Sequence, residues 1–270
     1  MIIIGEKINS SRKKVEEALK NRNEEFLLNL ARAQKEAGAD FLDVNCGTLF
    51  GEEKETMEWL VKLIQENLDT PLSIDSPDPE VLRKGFQIHQ GKAFLNSISG
   101  ETERMEKVEP LIREFSPYTI VLLMDDKGTP SSPEGRVEIA SRVTDKLISW
   151  GLKEEDIFFD PIIRPVSTEP DAGKIALDTI SLLKQKIPGV RTVMGLSNVS
   201  FGLPLRSLLN GIFLAMAMGV GLDSAILDPT DKRIQEVLCA ARALRGEDTY
   251  CLNYITSYRE GKLVDPWKKT

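Results

Sequence analysis

Eight Asn and Asp residues recur along the chain at intervals of about 21 to 38 residues, and each ends a short apolar stretch. They are Asn9, Asn45, Asp75, Asn96, Asp125, Asp160, Asn198 and Asp228. A carboxylate accepts two parallel hydrogen bonds from an amidine-like edge, and an amide offers one donor and one acceptor to a lactam edge. Buried groups that read an edge in this way reject analogues that lack it. The set therefore favours recognition of a flat heterocycle.

The same residues give less support to other chemistry. Four carboxylates could bind a hard cation, but half of the set is neutral Asn, so no bound metal is predicted. A Schiff base would need a lysine at a strand end, and Lys7 is the one lysine within a predicted strand, so this chemistry has little support. The single histidine, His89, and three scattered cysteines do not supply a catalytic triad or a zinc-thiolate site. Taken singly, each Asn or Asp could equally be a turn residue or a helix N-cap, above all Asn45 and Asp228.

The stretches that precede these residues are rich in Ile, Val, Leu and Phe, as are strands buried on both faces of a parallel sheet. Their spacing accommodates one strand and one helix per unit, and eight units predict a (β/α)8 TIM barrel in a single α/β domain. The carboxyl ends of the strands would then form one mouth, where the chemistry takes place. The predicted strands read IIIGEKIN, FLDVN, PLSID, AFLN, IVLLMD, IFFD, VMGLSN and SAILD.

Helices are predicted between these strands. Asn23 is expected to cap a helix that ends at Gly38 and has the apolar face Phe26, Leu30, Ala33 and Ala37. The next apolar stripe consists of Met57, Leu60, Val61, Ile64 and Leu68. A short helix is expected over residues 78–89, since few residues separate Asp75 from Asn96. The most apolar stretch, Leu208–Ala217, is predicted to be a buried barrel helix.

The barrel is assigned to residues 1–246 and a C-terminal extension to residues 247–270. Tyr250, Tyr254 and Tyr258 would share one face of a helix in this extension. We therefore expect the extension to pack on the outside of the barrel or at the interface of a homodimer.

Composition and charge exclude several classes of protein. The 270 residues include 35 Lys and Arg and 42 Asp and Glu, giving a net charge of −7, with no basic cluster that would bind nucleic acid. No apolar run reaches the roughly 20 residues that span a membrane, and MIIIGEKIN lacks the pattern of a secretory leader. Cys46, Cys239 and Cys251 indicate a reducing compartment rather than a disulfide framework. A cytoplasmic protein is therefore expected.

Six ordered motifs at the predicted strand ends point to a known family. GEKIN, LDVN, SIDS, LNSIS, FDP and GLSNVSFGLP resemble the pterin-binding barrels of the methyltetrahydrofolate:corrinoid/iron–sulfur protein methyltransferase family. They are also similar to the folate module of cobalamin-dependent methionine synthase. The resemblance covers almost the whole chain, and the combination of motifs is specific even though any one of them would be weak.

The resemblance implies a role for particular residues. Asp75, Asn96 and Asp160 match the positions that hold the hydrogen-bonding edge of the pterin, and Asn198 matches the catalytic Asn that contacts the methyl-bearing ring nitrogen. Gly195 and Ser197 would shape the pocket beside Asn198, and Arg206 matches a basic residue near the folate tail. Support roles fall to Glu6, Asn9, Asp43, Asn45 and Asp125.

The activity implied is transfer of a methyl group between tetrahydrofolate and the cobalt of a corrinoid, in either direction. The chain has no corrinoid-binding motif of the Asp-x-His-x-x-Gly type, so a separate corrinoid protein would carry the cobalt, as in the one-carbon metabolism of anaerobes. Asn198 would stabilise the protonated nitrogen through its amide oxygen, with the proton supplied by water held between Asn198 and Asp160.

Two alternatives remain open. One is an enzyme similar to dihydropteroate synthase, which would need a glycine-rich turn after the sixth strand, where this chain has DPIIRP. The other is a folate-binding scaffold without turnover, against which the presence of Asn198 argues.

Overall fold

Eight short parallel strands close into a barrel in the computed structural model, which describes residues 1–263. Each strand pairs with the next along the chain, and the last pairs with the first. The predicted (β/α)8 TIM barrel is therefore confirmed. The strands are β1 (Ile2–Asn9), β2 (Phe41–Asn45), β3 (Leu72–Asp75), β4 (Phe94–Ser99), β5 (Tyr118–Leu122), β6 (Ile157–Asp160), β7 (Arg191–Gly195) and β8 (Ser224–Leu227).

Helices surround the barrel, and within residues 1–263 no helix is long and apolar enough to cross a membrane. They are α1 (Lys13–Lys20), α2 (Glu24–Glu36), α3 (Glu53–Asn67), α4 (Pro79–Ile88), α5 (Thr102–Phe115), α6 (Pro133–Ser149), α7 (Ala172–Lys186), α8 (Arg206–Gly219), α9 (Lys232–Leu244) and α10 (Leu252–Arg259). Short 3₁₀ turns cover Glu154–Asp156, Leu196–Asn198 and Thr249–Cys251.

Two apolar layers hold the barrel together. A small cluster fills its interior, where the rings of Phe94 and Phe158 meet edge to face at 4.7 Å between centroids. A much larger cluster lies between the strands and the helices. Because side chains alternate along a strand, each strand contributes to both layers, which explains why its sequence is apolar almost throughout.

Helix α2 begins where the sequence predicts, but its buried face matches the predicted one only in part. Asn23 Oδ1 accepts a hydrogen bond from the Phe26 N–H at 3.1 Å, which confirms the N-cap. Phe26 and Leu30 are half-buried against the core as predicted, whereas Ala33 is exposed. The fully buried residues are Leu27, Leu28, Ala31 and Gln34.

The reason is the packing of Gln34 against the first strand. Its Oε1 accepts a hydrogen bond from the Lys7 N–H at 2.9 Å, and it lies where the side chain of residue 5 would be. A Cβ added to Gly5 would come within 2.5 Å of that oxygen. A polar residue therefore holds the inward position of α2, which hydrophobic periodicity does not reveal.

Four of the predicted strand ends are wrong: β4 continues past Asn96 to Ser99, and three other strands end earlier than predicted. Strand β5 ends at Leu122, because Asp125 and Gly128 bond to each other's backbone in a tight turn, with N···O distances of 2.7 and 3.2 Å. Strand β7 ends at Gly195, and Asn198 lies in the 3₁₀ turn that follows. Strand β8 ends one residue before Asp228.

The predicted short helix is confirmed as α4, and the single histidine follows its last residue. His89 Nε2 accepts a hydrogen bond from the Leu72 N–H at 3.0 Å and so joins the end of α4 to the start of β3. Burial lowers the pKa of this imidazole. His89 therefore has a structural role far from the strand ends.

Helix α8 is a barrel helix, as predicted, but it is buried on one side only. Its inner face packs on the barrel through Phe213, Leu214, Ala217 and Met218. Its outer face, however, exposes large apolar side chains.

The C-terminal extension packs on α9 through α10. Asp248 accepts hydrogen bonds from the Asn253 and Tyr254 N–H groups at 3.0 and 2.9 Å and so fixes the first turn of α10. Tyr250 has φ +53 and lies outside this helix, so the prediction that three tyrosines share one helical face is wrong. Residues 264–270 of the predicted extension lie outside the described residues.

Candidate active site

Side chains at the carboxyl ends of the strands point into the mouth of the barrel. Phe94, Phe158 and Val193 fill its interior, and residues two positions further along a strand point the same way. The residues that share this uppermost inward layer are Glu6, Asn45, Asp75, Asn96, Leu122, Asp160, Gly195 and Asp228. Most of them are polar, so the mouth is a polar layer directly above an apolar core.

One half of the mouth is a hydrogen-bonded network on neighbouring strands. Asn45, Asp75 and Asn96 lie side by side in the register of β2, β3 and β4. Asn45 Nδ2 donates to Asp75 Oδ2 at 3.0 Å, and Asn96 Nδ2 donates to Asp43 Oδ1 at 2.9 Å. Asp43 also accepts a hydrogen bond from Ser73 Oγ at 2.7 Å. The network fixes where each carboxylate and amide points before any ligand arrives.

Asn45 is itself held in place, which makes it a positioning residue. Its Oδ1 accepts hydrogen bonds from Ser10 Oγ at 3.1 Å and from the Gly47 N–H at 3.0 Å. The amide group therefore cannot flip, and its NH₂ group must face Asp75.

Burial of the mouth carboxyls opposes their ionisation. It raises the pKa of Asp43 and of Asp160 to about 6. The pKa of Asp75 is raised well above its usual value, first by burial and next by the charge of Asp43. A ligand that presents N–H donors would replace the lost solvent and favour the charged carboxylates.

Asp160 is held by backbone groups of the loop that follows it and of the seventh strand. Its carboxylate accepts hydrogen bonds from the Ile162 N–H, at 2.7 Å to Oδ1, and from the Gly195 N–H. These bonds and the nearby Arg136 lower the pKa of Asp160, but by less than burial raises it. Asp160 is thus held by backbone groups, whereas Asp75 is held by a side chain.

Asn198 stands apart from the strand residues. It is exposed, and its Nδ2 lies 3.2 Å from where a Cβ on Gly195 would be. Gly195 therefore leaves open the inward space beside the Asn198 amide, which any larger residue would narrow.

The turn that carries Asn198 is tied to the first strand and to α8. Ser197 Oγ donates to the Glu6 carboxylate at 3.0 Å, and Arg12 donates to the same carboxylate at 3.0 Å. Burial is the largest cause of the raised pKa of Glu6, and the hydrogen bond from Ser197 partly opposes it. Arg206 Nη2 donates to the Ser197 carbonyl oxygen at 2.6 Å. Arg206, expected near a folate tail, thus braces the turn from its outer side.

Three of the eight Asn and Asp residues singled out in the sequence are already bonded to other protein groups, so they are not free to bind a ligand in the mouth. Asn9 Oδ1 accepts a hydrogen bond from the Ser11 N–H at 2.9 Å, as a turn residue does. Asp125 pairs with Arg142 at 2.8 Å on the side of α6, and this hydrogen bond lowers its pKa. Asp228 pairs with Lys7 at 2.9 Å and also accepts from Thr230.

Sequence reasoning missed residues that line a cavity of about 290 Å³ beside Asp75. The lining includes Ser97, Ser99, Glu101 and Arg104. Arg104 Nη2 donates to the Ser97 carbonyl oxygen at 2.6 Å. The serines that follow Asn96 in LNSIS could have indicated this cavity. Arg104 lies in α5, and no sequence motif indicated that it lines the cavity. Within the described part of the chain, no three or more His, Cys, Asp and Glu side chains are grouped to hold a metal ion.

A closed (β/α)8 barrel with a fixed set of carboxylates and amides at its mouth defines a TIM-barrel protein that recognises a small polar ligand. The chain belongs to the pterin binding enzyme family, because the sequence pattern of that family matches residues 5–228. This finding confirms the family resemblance drawn from the strand-end motifs.

Two curated proteins are similar to this chain over most of its length. A methylcorrinoid:tetrahydrofolate methyltransferase of Eubacterium limosum is 36% identical over 265 residues, which are 97% of this chain and 98% of that protein. A methionine synthase of Mycobacterium tuberculosis is 29% identical over 240 residues, which are 84% of this chain but only 20% of that protein.

Solved structures of dihydropteroate synthases share the fold. A Xanthomonas albilineans enzyme has a TM-score of 0.71 and 16% identity, covering 90% of this chain and 92% of its own. A Yersinia pestis enzyme has a TM-score of 0.69 and 14% identity, covering 91% and 94%. At such identities the likeness concerns the fold alone.

Proposed function

We propose that this protein transfers a methyl group between the cobalt of a corrinoid, carried by a separate protein, and a ring nitrogen of tetrahydrofolate. The observation that carries the proposal is the arrangement of Asp75, Asn96 and Asp160 around one mouth, with the exposed Asn198 above Gly195. The near full-length similarity to a methylcorrinoid:tetrahydrofolate methyltransferase supports it and favours tetrahydrofolate as the methyl acceptor.

The strand residues would hold the pterin. A pterin presents ring N–H and exocyclic amino donors, and the carboxylates of Asp75 and Asp160 can accept them. Asn96 has its NH₂ group on Asp43, so its amide oxygen is directed to accept a further donor. The buried carboxyls regain in the complex the hydrogen bonds that they lose by leaving water.

Asn198 would act on the reacting nitrogen. Its amide oxygen stabilises a protonated nitrogen, and rotation of the amide presents the NH₂ group to the neutral nitrogen. Water held between Asn198 and Asp160 would take up or supply the proton, for which a carboxyl with a pKa of about 6 is suited. The exposed position of Asn198 leaves the methyl group accessible to a large partner.

The corrinoid is a substrate in this proposal and is delivered by its own protein. The reduced cobalt takes the methyl group as a strong nucleophile in one direction; in the other, the ring nitrogen attacks the methyl group of methylcob(III) and cob(I) is the leaving group. Both are direct in-line transfers, so the barrel has to orient the two partners and exclude competing reactions. We place the reaction in the cytoplasm of an anaerobe, consistent with three free cysteines. Residues 247–263 would extend the 1–246 barrel and stabilise α9 through α10 without touching the substrates.

The test is spectroscopic. The protein is mixed under anaerobic conditions with tetrahydrofolate and methylcob(III)alamin, the free corrinoid serving as a probe of the partner-bound one. We expect the methylcob(III) spectrum to convert to that of cob(I), with methyltetrahydrofolate formed in equal amount. Tetrahydrofolate binding without spectral conversion would indicate a scaffold, and formation of pteroate in a parallel assay would indicate a synthase; either result would contradict the proposal.

A further inference from the structure

Arg136 on α6 is a buried charge to which the proposed reaction gives no part. It is only 4% exposed, and among residues 1–263 no carboxylate forms an ion pair with its guanidinium. The guanidinium donates instead to two backbone carbonyl oxygens, from Nε to that of Pro130 at 3.0 Å and from Nη1 to that of Pro161. Buried charges are costly and are normally paired with an opposite charge. Two carbonyl partners from different loops therefore indicate that Arg136 holds backbone in place.

The second of these carbonyl groups belongs to the peptide group that binds Asp160. Pro161 supplies the C=O of this peptide group, and Ile162 supplies its N–H, which donates to Asp160 Oδ1 at 2.7 Å. The bond between the two residues is trans, so the C=O and the N–H point in opposite directions. Arg136 thus binds one end of the peptide group while Asp160 binds the other.

This orientation of the peptide group is unfavourable for Ile162. Its φ is +57°, and within residues 1–263 it is the one β-branched residue with a positive φ. Branching at Cβ makes the left-handed conformation costly. If the peptide group turned over, φ of Ile162 would become about −120°, which isoleucine adopts readily. The N–H would then point away from Asp160, so the bound orientation needs an external hold.

The charges of Arg136 and Asp160 supply this hold. A cation beside the carbonyl oxygen and an anion beside the N–H both match the dipole of the peptide group, and hydrogen bonds in such a chain strengthen one another. The charge of Arg136 also lowers the pKa of Asp160, although burial raises it by more. The charged neighbours of Arg136, Arg164 and Glu169, pair with each other at 2.6 Å. Their charges therefore largely cancel at Asp160.

The rest of the loop after β6 is fastened elsewhere. The Val166 N–H donates to the Val199 carbonyl oxygen at 3.1 Å, and Ser167 Oγ donates to the Phe201 carbonyl oxygen at 3.0 Å. Ile163 is buried in the core. Loss of Arg136 would therefore free the first peptide group of the loop without releasing the loop as a whole.

We propose that Arg136 is a positioning residue, which holds the Pro161–Ile162 peptide group against the conformational preference of Ile162 so that its N–H keeps Asp160 directed into the mouth. The consequence for tetrahydrofolate binding rests on the proposed function, because Asp160 is there a group that receives the donors of the pterin. The hold on the peptide group itself does not depend on that function.

The first test uses the free protein, with aspartate carrying carbon-13 at the side-chain carboxyl. Asp160 is assigned by the NMR signal that is missing in Asp160→Asn, and its pKa is read from the titration. In Arg136→Met this pKa should rise by about one pH unit, because the carboxylate loses the Ile162 N–H and the nearby positive charge. A folded Arg136→Met in which Asp160 titrates as in the wild type would overturn the proposal.

The matched control for this variant is Arg245→Met. Arg245 follows α9 at the end of the barrel opposite the mouth, and it too donates to a backbone carbonyl oxygen, that of Met218. Its loss should leave the titration of Asp160 unchanged. Circular dichroism checks that each variant is folded.

The second test separates the orientation of the peptide group from the charge of Arg136. Glycine adopts a positive φ at no steric cost, so adding Ile162→Gly to Arg136→Met should return the pKa of Asp160 part of the way to the wild-type value. Ile162→Gly alone should titrate as the wild type. If Arg136 acted by its charge alone, the double variant would titrate as Arg136→Met, and the proposal would be wrong.

A milder change carries the same comparison if Arg136→Met does not fold. Arg136→Lys keeps the charge but lacks the planar fork that reaches two carbonyl groups. It should raise the pKa of Asp160 by less than Arg136→Met, and Ile162→Gly should again reverse the rise. A rise that Ile162→Gly does not reverse would overturn the proposal here as well.

The third test is the affinity for tetrahydrofolate, measured by calorimetry. Because Asp160 ionises at a higher pH in Arg136→Met, this variant should bind about fivefold more weakly than the wild type at pH 6 and nearly as well at pH 8. An equal loss at both pH values would contradict the role of Arg136 in binding. A wild-type protein that bound no tetrahydrofolate would contradict the proposed function instead, and the NMR titrations would still decide whether Arg136 holds the peptide group.

Discussion

The two halves of the barrel mouth are built differently. On the half formed by β2, β3 and β4, the polar groups belong to strand residues whose positions are set by the strand ladder and by bonds such as that of Asn45 to Asp75. On the half formed by β7, Asn198 lies in a 3₁₀ turn beyond the strand and is exposed. The first half is suited to recognising a fixed edge, and the second to serving a group whose charge changes during reaction.

The largest effect that would test this contrast concerns turnover. Asn198→Ala should lower the rate of methyl transfer by about 100- to 1000-fold, as loss of one donor or acceptor to a developing charge commonly does. Tetrahydrofolate binding should weaken by less than about tenfold, since an exposed hydrogen bond contributes little. Stopped-flow spectra of the corrinoid give the rate, and calorimetry gives the affinity.

The matched control for this variant is Asn29→Ala on the exposed face of α2, for which neither quantity should change. Equal losses of rate and affinity in Asn198→Ala would mean that Asn198 belongs to the recognition half, and the contrast would fail.

The next effect concerns affinity. Asp75→Asn replaces one acceptor oxygen by an NH₂ group, which must face either the N–H donors of the pterin or the NH₂ group of Asn45. An unpaired buried group costs about 1–3 kcal/mol, so tetrahydrofolate should bind about 10- to 100-fold more weakly. Calorimetry measures this loss, with Asp145→Asn on the exposed side of α6 as the control. If Asp75→Asn bound tetrahydrofolate with unchanged affinity, Asp75 would not be part of the binding site.

A smaller change in tetrahydrofolate affinity is expected when the pH is varied. Asp160 has a pKa of about 6, and donors on a ligand bind its ionised form. The contribution of Asp160 to tetrahydrofolate affinity should therefore be constant above about pH 7 and fall by up to tenfold for each unit below pH 6. Asp160→Asn should bind weakly at all pH values and lose this contribution, whereas the contribution of Asp75, whose pKa is also raised, should remain. A wild-type affinity that is flat from pH 5 to 8 would show that Asp160 does not receive ligand donors.

The sequence predicted the strands better than it predicted which residues face the mouth. Asp75 and Asp160 end strands whose apolar composition is unambiguous, and both point inward. Asn9 ends the first strand as predicted, but a register shift between Gly5 and Ile8 makes Glu6 the inward residue there. Asp125 falls outside the mouth because of its turn with Gly128 and its bond to Arg142. The register shift depends on pairing with a neighbouring strand, which local pattern does not contain, whereas the turn of Asp125 with Gly128 is local.

The last prediction separates function from stability at one residue. The pKa of Asp160 in the folded protein, about 6, lies above its value of about 3.9 in an unfolded chain. The folded state therefore loses stability relative to the unfolded state as pH rises from about 4 to 6, by up to about 3 kcal/mol. Asp160→Asn keeps an oxygen for the Ile162 and Gly195 N–H groups and removes the buried charge.

At pH 8 this variant should unfold several degrees above the wild type in a calorimetric scan, and the difference should disappear near pH 4. Asp125→Asn should have the opposite sign, a small decrease in Tm at pH 8, because Arg142 lowers the pKa of Asp125 and its charge is stabilising. If Asp160→Asn lowered Tm at pH 8, its carboxylate would be stabilised in the free protein. Burial would then not destabilise the ionised carboxylate of Asp160, and a ligand would have no such destabilisation to remove.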